Sequence, residues 1–285
     1  MTTNAGKRCL ITGASSGIGY AMALELARRG MEIIMVSRDS SRGIAACDKI
    51  RRESGNDHVS FLQTDLSSQS SIRALCSTLD SRIGDLDILI NNAGICNPGF
   101  VLSADGIEET FAVNYFAGFI LTRLLWEKLA AAKSARVVNV SSSAHMFASI
   151  DWKSLNDKRN YDGWKAYCGS KLANLLFTIA LARKLAGNKV TVNCFHPGTV
   201  ATGVFKNIPP HLHFINQITL IKPEKAAATG VMLATAEELG NVSGEYFARM
   251  KIRKTFILRR ELDSLDAFWN NSEALSRVSW KSILP

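Results

Sequence analysis

The chain has 285 residues, a formal net charge of +9 and 47% hydrophobic residues, which suits one large α/β domain or two small ones. It contains no run of about 18 apolar residues and no apolar signal core near the N-terminus, so we expect a cytoplasmic protein without a transmembrane anchor. The six cysteines are scattered without a CxxC pair, which argues against a metal site and a disulfide framework.

Short apolar runs alternate with longer amphipathic segments along the chain. We predict strands at Arg8–Thr12, Glu32–Ser37, Val59–Gln63, Leu86–Asn91, Arg136–Ser141 and Lys189–Phe195. We predict helices at Ile18–Arg29, Ser41–Glu53, Ser68–Arg82, Ile107–Ala132 and Trp164–Ala186. This alternation predicts a doubly wound parallel sheet of the Rossmann type, with helices on both faces in three α/β/α layers. Because no flexible linker interrupts the pattern, we expect a single domain over residues 1–285.

A glycine-rich turn, TGASSGIG, links the first predicted strand to the first predicted helix at Thr12–Gly19. Glycines allow a tight turn and a close backbone approach to a pyrophosphate, and the helix N-terminus favours the anion. The spacing differs from the common GxGxxG fingerprint, so a purely structural turn is the alternative. The candidate phosphate-binding residues are Gly13, Ser15, Ser16, Gly17, Ile18 and Gly19.

The end of the second predicted strand indicates which dinucleotide binds. A carboxylate there would bind the 2′-hydroxyl of NAD, whereas an arginine accommodates the 2′-phosphate of NADP. Arg38 follows this strand, with Arg42 one turn further on, which favours NADP(H). Asp39 leaves the alternative open, since a displaced loop could direct it at the ribose.

Two later segments carry candidate chemistry. Tyr167 and Lys171 are four residues apart at the start of a predicted helix, a spacing that stacks both side chains on one face. A neighbouring ammonium favours the phenolate, so the pair could exchange a proton with a carbonyl or alcohol oxygen. The serines ending the strand at 136–141 would lie at the ligand-binding edge of the sheet beside Tyr167, as would Asn91–Gly94.

The alternation of predicted strands and helices ends after Phe195. Prolines punctuate residues 199–222, which we interpret as an irregular substrate lid, and a further helix is predicted at Pro223–Glu238. The basic stretch at 249–254 is interleaved with apolar residues, as in a solvated strand edge or loop, although contact with a membrane surface or an acidic partner is an alternative. We expect no nucleic-acid partner, because no recognisable module accompanies the charge.

These motifs together resemble the short-chain dehydrogenase/reductase family over nearly the whole length. The matching segments are TGxxxGxG at Thr12–Gly19, NNAG at Asn91–Gly94, the serine strand, YxxxK at Tyr167–Lys171 and PG at Pro197–Gly198. Within the family, the segments VVNVSSSAH at 137–145 and AYCGSKLANLLF at 166–177 are most similar to the retinol dehydrogenase-like branch.

The resemblance implies roles for individual residues. Tyr167 would be the general acid/base, and Lys171 would hold the nicotinamide ribose and lower the pKa of the phenol. Ser142, with Ser141 or Ser143 as alternatives, would orient the substrate oxygen, and Asn114 would bind a water linking Lys171 to solvent. Further cofactor contacts would come from Asp65, Leu66, Asn92, Ala93, Gly94, Pro197, Gly198, Val200 and Thr202.

The side chains expected around the substrate are apolar and aromatic. They are Ile95, Met146, Phe147, Trp164, Phe205 and the stretch 211–214. This set predicts a hydrophobic ketone, aldehyde or alcohol, with His145 as a further contact and His196 as a structural residue. The alternatives are a catalytically silent NADP-binding regulatory protein and a nicotinamide-assisted epimerase. The family resemblance also implies a homo-dimer or homo-tetramer.

Overall fold

The computed structural model describes residues 4–198, 221–255, 257 and 259–281. Its strands are β1 (Arg8–Thr12), β2 (Glu32–Ser37), β3 (Val59–Gln63), β4 (Ile88–Asn91), β5 (Arg136–Val140), β6 (Thr191–His196), β7 (Tyr246–Ala248) and β8 (Lys251–Ile252). Within the described ranges they form one eight-stranded sheet in the order β3-β2-β1-β4-β5-β6-β7-β8. Strands β1 to β7 pair in parallel, whereas β8 pairs antiparallel with β7.

The helices connect successive strands and cover the sheet. They are α1 (Gly17–Arg28), α2 (Ser40–Ser54), α3 (Gln69–Arg82), α4 (Glu109–Phe111), α5 (Ala117–Leu124), α6 (Trp126–Ala131), α7 (Gly163–Lys184), α8 (Pro223–Thr235), α9 (Arg259–Asp263) and α10 (Leu265–Ser276). A π-helical turn at Ala112–Phe116 joins α4 to α5. No helix in this described part of the chain combines the length and apolar composition needed to span a membrane.

Local sequence signals account for several helix ends. The Asp39 carboxylate accepts a hydrogen bond from the Arg42 amide at the start of α2, and Gly55 ends that helix in the left-handed conformation, with φ 68°. The Asp162 carboxylate accepts from two amides at the start of α7. Pro223 occupies the first turn of α8, where its missing N–H costs nothing.

Each face of the sheet is covered by a large apolar cluster. Leu10 and Leu89 pack on one side with α3, α5, α7 and α10, while Cys9 and Ile11 pack on the other side with α1, α2 and α8. Neighbouring residues of a strand thus enter opposite layers, as in a parallel sheet buried on both faces. The predicted three-layer α/β/α fold is confirmed.

Apart from shifts of one or two residues at other element ends, the structure differs from the predicted elements in three respects. The single helix predicted at 107–132 is divided into α4, the π-helical turn, α5 and α6. The helix predicted to reach Glu238 ends at Thr235. Strands β7 and β8 and helices α9 and α10 were not predicted. The basic stretch around β8 lies at the exposed edge of the sheet, consistent with its interpretation as a solvated strand edge.

Candidate functional site

The predicted site residues lie at the carboxyl edge of the sheet. The strand order reverses between β1 and β4, and the loops that follow these strands and β5 meet the first half of α7 there. A crevice at such a reversal is where open parallel sheets bind their ligands. The topology therefore brings the predicted cofactor and catalytic segments to one place.

The turn between β1 and α1 requires glycine at several positions. Gly13 and Gly17 have φ values of 66° and 58°, in the left-handed region that glycine adopts without strain. A Cβ on Gly19 would lie 2.4 Å from the carbonyl oxygen of Gly13, so only glycine allows this close approach. Ser16 precedes the helix and makes no capping hydrogen bond through its side chain within the described residues. The first-turn amides of α1 can therefore bind an anion.

The loop after β4 holds this turn in place. The Asn92 side chain donates to the Thr12 carbonyl at 2.8 Å, and the backbone amides of Asn92 and Ala93 donate to the Thr12 hydroxyl at 2.9 and 3.0 Å. A Cβ on Gly94 would lie 3.4 Å from Lys171 Nζ and 3.5 Å from Asn114 Oδ1. Gly94 thus leaves space beside the ammonium, in the crevice where a cofactor would lie.

Arg38 and Asp39 are directed to different partners. The Arg38 side chain is 70% exposed, with Nη1 3.8 Å from Glu109 Oε1. The Asp39 carboxylate accepts from the Arg42 amide at 2.9 Å and from Arg42 Nε at 2.7 Å, and these bonds lower its pKa. Asp39 is therefore engaged at the start of α2, whereas the Arg38 guanidinium is accessible to an anion.

Asp65 and Leu66, both predicted as cofactor contacts, are also held by protein groups. Asp65 Oδ1 accepts hydrogen bonds from the amide and hydroxyl of Ser67 at 2.9 and 2.8 Å. The Leu66 side chain is buried in the core on the α3 side of the sheet. A cofactor contact from Leu66 would therefore have to use its backbone rather than its side chain.

Tyr167, Ser142 and Lys171 come together where β5 ends and α7 begins. The Tyr167 side chain is hydrogen-bonded to Ser142, and Lys171 Nζ lies 5.6 Å from the centre of the Tyr167 ring. Lys171 Nζ also donates to the Val140 carbonyl at 3.0 Å. A phenol, a hydroxyl and an ammonium thus share one buried corner of the site.

The neighbouring serines and histidines have other partners. The Ser141 hydroxyl donates to the Lys171 carbonyl at 2.8 Å, and the Ser143 amide donates to His196 Nδ1 at 3.2 Å. His145 is 3% exposed, and its Nδ1 lies 2.6 Å from the Ser142 carbonyl. Ser142 is thus the serine bonded to Tyr167, while both histidines support the turn that carries it.

Burial dominates the ionisation of the catalytic candidates. It raises the pKa of the Tyr167 phenol well above its usual value, while the hydrogen bond with Ser142 acts in the opposite direction. It lowers the pKa of Lys171 to about 8. The largest influence on the pKa of Tyr167 is thus burial, not the Lys171 ammonium expected from the sequence. The phenol is protonated at neutral pH, which is the state that donates a proton to a carbonyl oxygen.

Asn114 lies in the π-helical turn and binds protein groups. Its Oδ1 accepts from the Ile95 amide at 2.7 Å, and its Nδ2 donates to the Ile95 carbonyl and to Ser170 Oγ, both at 2.9 Å. Its backbone carbonyl accepts from Asn174 Nδ2 at 2.9 Å. Asn114 therefore ties the loop after β4 to α7, and the carbonyl available for the predicted water contact already has one donor.

Sequence reasoning missed the contribution of Asn174 and Ser170. Asn174 is buried and contacts the carbonyls of Asn114 and Val140. A signal was present, because Tyr167, Lys171 and Asn174 follow the i, i+4, i+7 spacing of a single helix face. A polar residue on the face of a candidate catalytic pair is a candidate neighbour of that pair.

The expected substrate wall is partly visible. Trp164 stacks on Tyr167, with ring centres 5.6 Å apart, and Met146 and Phe147 are 44% and 76% exposed. Gly198, from the predicted cofactor set, has φ 91° directly after Pro197. Four predicted features lie outside the described residues: Val200, Thr202, Phe205 and the stretch 211–214. Most of the predicted lid at 199–222 lies outside them as well.

Comparison with known proteins identifies relatives over most of the chain. A family model described as short chain dehydrogenase matches residues 7–213. Human retinol dehydrogenase 13 is 43% identical over 255 residues, covering 86% of this chain and 77% of its own length. Human retinol dehydrogenase 14 is 37% identical over 291 residues, and this match covers 95% of this chain and 86% of the length of that relative. The predicted resemblance to the retinol dehydrogenase-like branch is confirmed.

Solved structures share the fold. A crystal structure of an uncharacterised protein from Mycobacterium paratuberculosis superposes with a TM-score of 0.78 at 31% identity, covering 98% of this chain and 96% of its own. A short chain dehydrogenase from Shigella flexneri, solved as a complex with NADP, has a TM-score of 0.68 at 22% identity. The superposition covers 88% of this chain and 100% of that structure's chain. At that identity, the second similarity concerns the fold alone.

Proposed function

The chain belongs to the short-chain dehydrogenase family, and on this premise we propose that it is an NADP(H)-dependent oxidoreductase of hydrophobic carbonyl and alcohol compounds. The observation that carries the proposal is the buried Tyr167, hydrogen-bonded to Ser142 with Lys171 beside its ring, at the carboxyl edge of the sheet. Tyr167 is the only tyrosine that this arrangement equips for proton exchange with a substrate among the described residues.

In carbonyl reduction, three side chains of the protein have separate roles. The Tyr167 phenol, protonated at neutral pH, donates its proton to the carbonyl oxygen. The Ser142 hydroxyl holds that oxygen beside the phenol, which fixes the distance over which the proton moves. Lys171 supplies a positive charge that stabilises the phenolate once the proton has left. A bound nicotinamide would supply the hydride.

The residues present fit a dinucleotide. The positive φ values of Gly13 and Gly17 shape a turn at the start of α1, whose amides suit a pyrophosphate. The absence of a Cβ on Gly94 leaves space next to Lys171 Nζ. The preference for NADP(H) rests on Arg38, whose guanidinium is exposed, and on Asp39, whose carboxylate is engaged by Arg42.

A hydrophobic substrate is supported by the side chains at the mouth of the site. Trp164 stacks against Tyr167, and Met146 and Phe147 expose apolar surface next to the serine turn. Apolar walls with few polar groups are typical of pockets for hydrophobic ligands. Relatives named retinol dehydrogenase are consistent with an apolar alcohol or aldehyde.

The test of the function is a panel of apolar aldehydes and ketones with NADPH, followed by cofactor absorbance. We expect turnover that falls by roughly 10²–10⁴-fold in Tyr167→Phe, because a positioned general acid contributes about that much. Tyr161→Phe is the matched control, since the Tyr161 hydroxyl bonds to Asn97 and Glu108, away from Lys171. Equal turnover in wild type and Tyr167→Phe would remove Tyr167 from the mechanism. Substrate conversion without net NADPH consumption would instead favour epimerisation.

Cofactor choice is tested separately with Arg38→Asp. Loss of a charge-assisted bond of about 1.5–3 kcal/mol should raise the KM for NADPH by roughly tenfold to a hundredfold, with a smaller effect on NADH. Arg52→Asp makes the same change of charge on the exposed side of α2 and should leave the preference intact. An unchanged ratio of NADPH to NADH efficiency in Arg38→Asp would exclude Arg38 from phosphate recognition.

A further inference from the structure

Helix α7 carries a row of buried polar side chains that continues past the catalytic pair. Tyr167, Lys171, Asn174 and Thr178 are 5%, 4%, 4% and 0% exposed, respectively, and their spacing places them on one helix face. Buried polar groups are retained at a cost unless they are hydrogen-bonded. The partners of Asn174 therefore indicate what its amide does.

The Asn174 amide binds two backbone carbonyls at the site. Its Nδ2 donates to the Asn114 carbonyl at 2.9 Å and lies 3.3 Å from the Val140 carbonyl. The Val140 carbonyl also accepts from Lys171 Nζ at 3.0 Å. One oxygen at the end of β5 thus receives both the ammonium and the amide, and the same amide joins β5 to the π-helical turn.

A second set of bonds anchors α7 further from the site. Thr178 Oγ1 donates to the Asn174 backbone carbonyl at 2.8 Å and accepts from Asn139 Nδ2 at 3.0 Å. Asn139 Oδ1 in turn accepts from Asn91 Nδ2 at 2.9 Å. Thr178 thus shares the burial and the helix of Asn174 but makes no side-chain bond to the carbonyl that holds Lys171.

We propose that Asn174 is a positioning residue for Lys171: its amide fixes the Val140 and Asn114 carbonyls relative to each other, and so holds the ammonium beside Tyr167. The Asn114 carbonyl is held by the side-chain amide of Asn174, whereas the resemblance implies only that Asn114 binds a water. A side-chain amide has one fixed reach, so it sets the distance between β5 and the π-helical turn more rigidly than an exchangeable water. The kinetic part of this inference rests on the proposed function.

The test compares Asn174→Leu, which keeps the size of the side chain but removes the donor, with the control Thr178→Val. We expect kcat to fall by up to about 10²-fold in Asn174→Leu, since misplacement of a catalytic group by about 1 Å can cost that much, with little change in KM. In the pH profile of kcat, the decrease at high pH should begin at a lower pH than in wild type, because an apolar neighbour further disfavours the Lys171 ammonium. Thr178→Val should lose thermal stability while keeping the wild-type kcat and pH profile.

A second variant and a second readout keep the inference separate from folding and from the proposed function. If Asn174→Leu does not fold, Asn174→Ser replaces it, since a serine hydroxyl is too short to reach both carbonyls. An NMR titration of the Lys171 side chain needs no turnover and should give a lower pKa in the variant than in wild type. A wild type without turnover would reject the proposed function and leave this titration valid. A folded Asn174 variant with wild-type kcat, pH profile and Lys171 titration would overturn the proposal.

Discussion

Lys171 carries its charge where burial disfavours it. The side chain is 4% exposed, and burial lowers its pKa from 10.5 to about 8. In the unfolded chain the amine keeps its proton up to its ordinary pKa, so between these two values the unfolded state binds more protons than the native state. Stability therefore rises with pH through that window, and below about pH 8 the buried cation destabilises the fold in full.

Replacing this lysine should stabilise the protein while removing activity. A shift of this size corresponds to about 3 kcal/mol, offset in part by the lost hydrogen bond to the Val140 carbonyl. We expect Lys171→Met to unfold at a higher temperature than wild type at pH 7, with an advantage that shrinks between pH 8 and 10.5. Thermal unfolding across this pH range measures the effect.

The control for this prediction is Lys165→Met, which removes an exposed lysine from the same helix. It should leave the pH dependence of unfolding unchanged. If Lys171→Met were less stable than wild type at pH 7, the ammonium would stabilise the native state, and burial would not be the main influence on it.

Individual site residues were predictable where chemistry and spacing coincide. The proximity of Tyr167 and Lys171 to the serines after β5 could be predicted, because an acid/base pair on one helix face and serines at a strand end both indicate the same edge of the sheet. The partners of Asn114 and Asp65 could not be found in this way. Their contacts depend on the path of the backbone, through the π-helical turn and through the turn made by Ser67, which side-chain patterns do not encode.

At the scale of elements, the strands were the most predictable part. Strands β1, β2 and β3 have the predicted ends, because fully buried parallel strands appear as continuous apolar runs between polar ends. The segment at 107–132 was harder, since α4, the π-helical turn and α5 share one apolar pattern. A π-helical turn changes the backbone hydrogen-bond pairing from i→i+4 to i→i+5. This change is not visible in the amino-acid composition of the segment.

The hairpin of β7 and β8 had no usable sequence signal. Its strands have three and two residues, too few for a period to be recognised. The turn between them places Arg249 and Met250 at φ 52° and 59°, where glycine or asparagine is the usual choice. This local conflict between sequence and conformation explains why the basic stretch predicted a strand edge or loop but not a hairpin.

At the scale of the molecule, the core extends beyond the region that the family model matches. The match ends at residue 213, yet Phe268 and Trp269 of α10 belong to the same apolar cluster as α3, α5 and α7. The Tyr115 hydroxyl, next to Asn114 in the π-helical turn, bonds to Ser272 Oγ at 2.6 Å. The C-terminal segment thus supports the element that carries part of the candidate site.

Trp280 packs in the same apolar cluster as Phe268 and Trp269. Its substitution therefore tests how much the C-terminal segment contributes to stability. The side chain is 1% exposed, and its ring lies 5.4 Å from that of Trp269 and 5.9 Å from that of Phe119, between centres. Trp280→Ala should cost about 3–5 kcal/mol of unfolding free energy, the usual range for a buried tryptophan, measured by urea denaturation. Trp280→Phe should cost much less, because it keeps most of the ring contact and removes an indole N–H that has no partner among the described residues. Equal, small losses in both variants would show that the C-terminal segment packs on a core that is already stable without it.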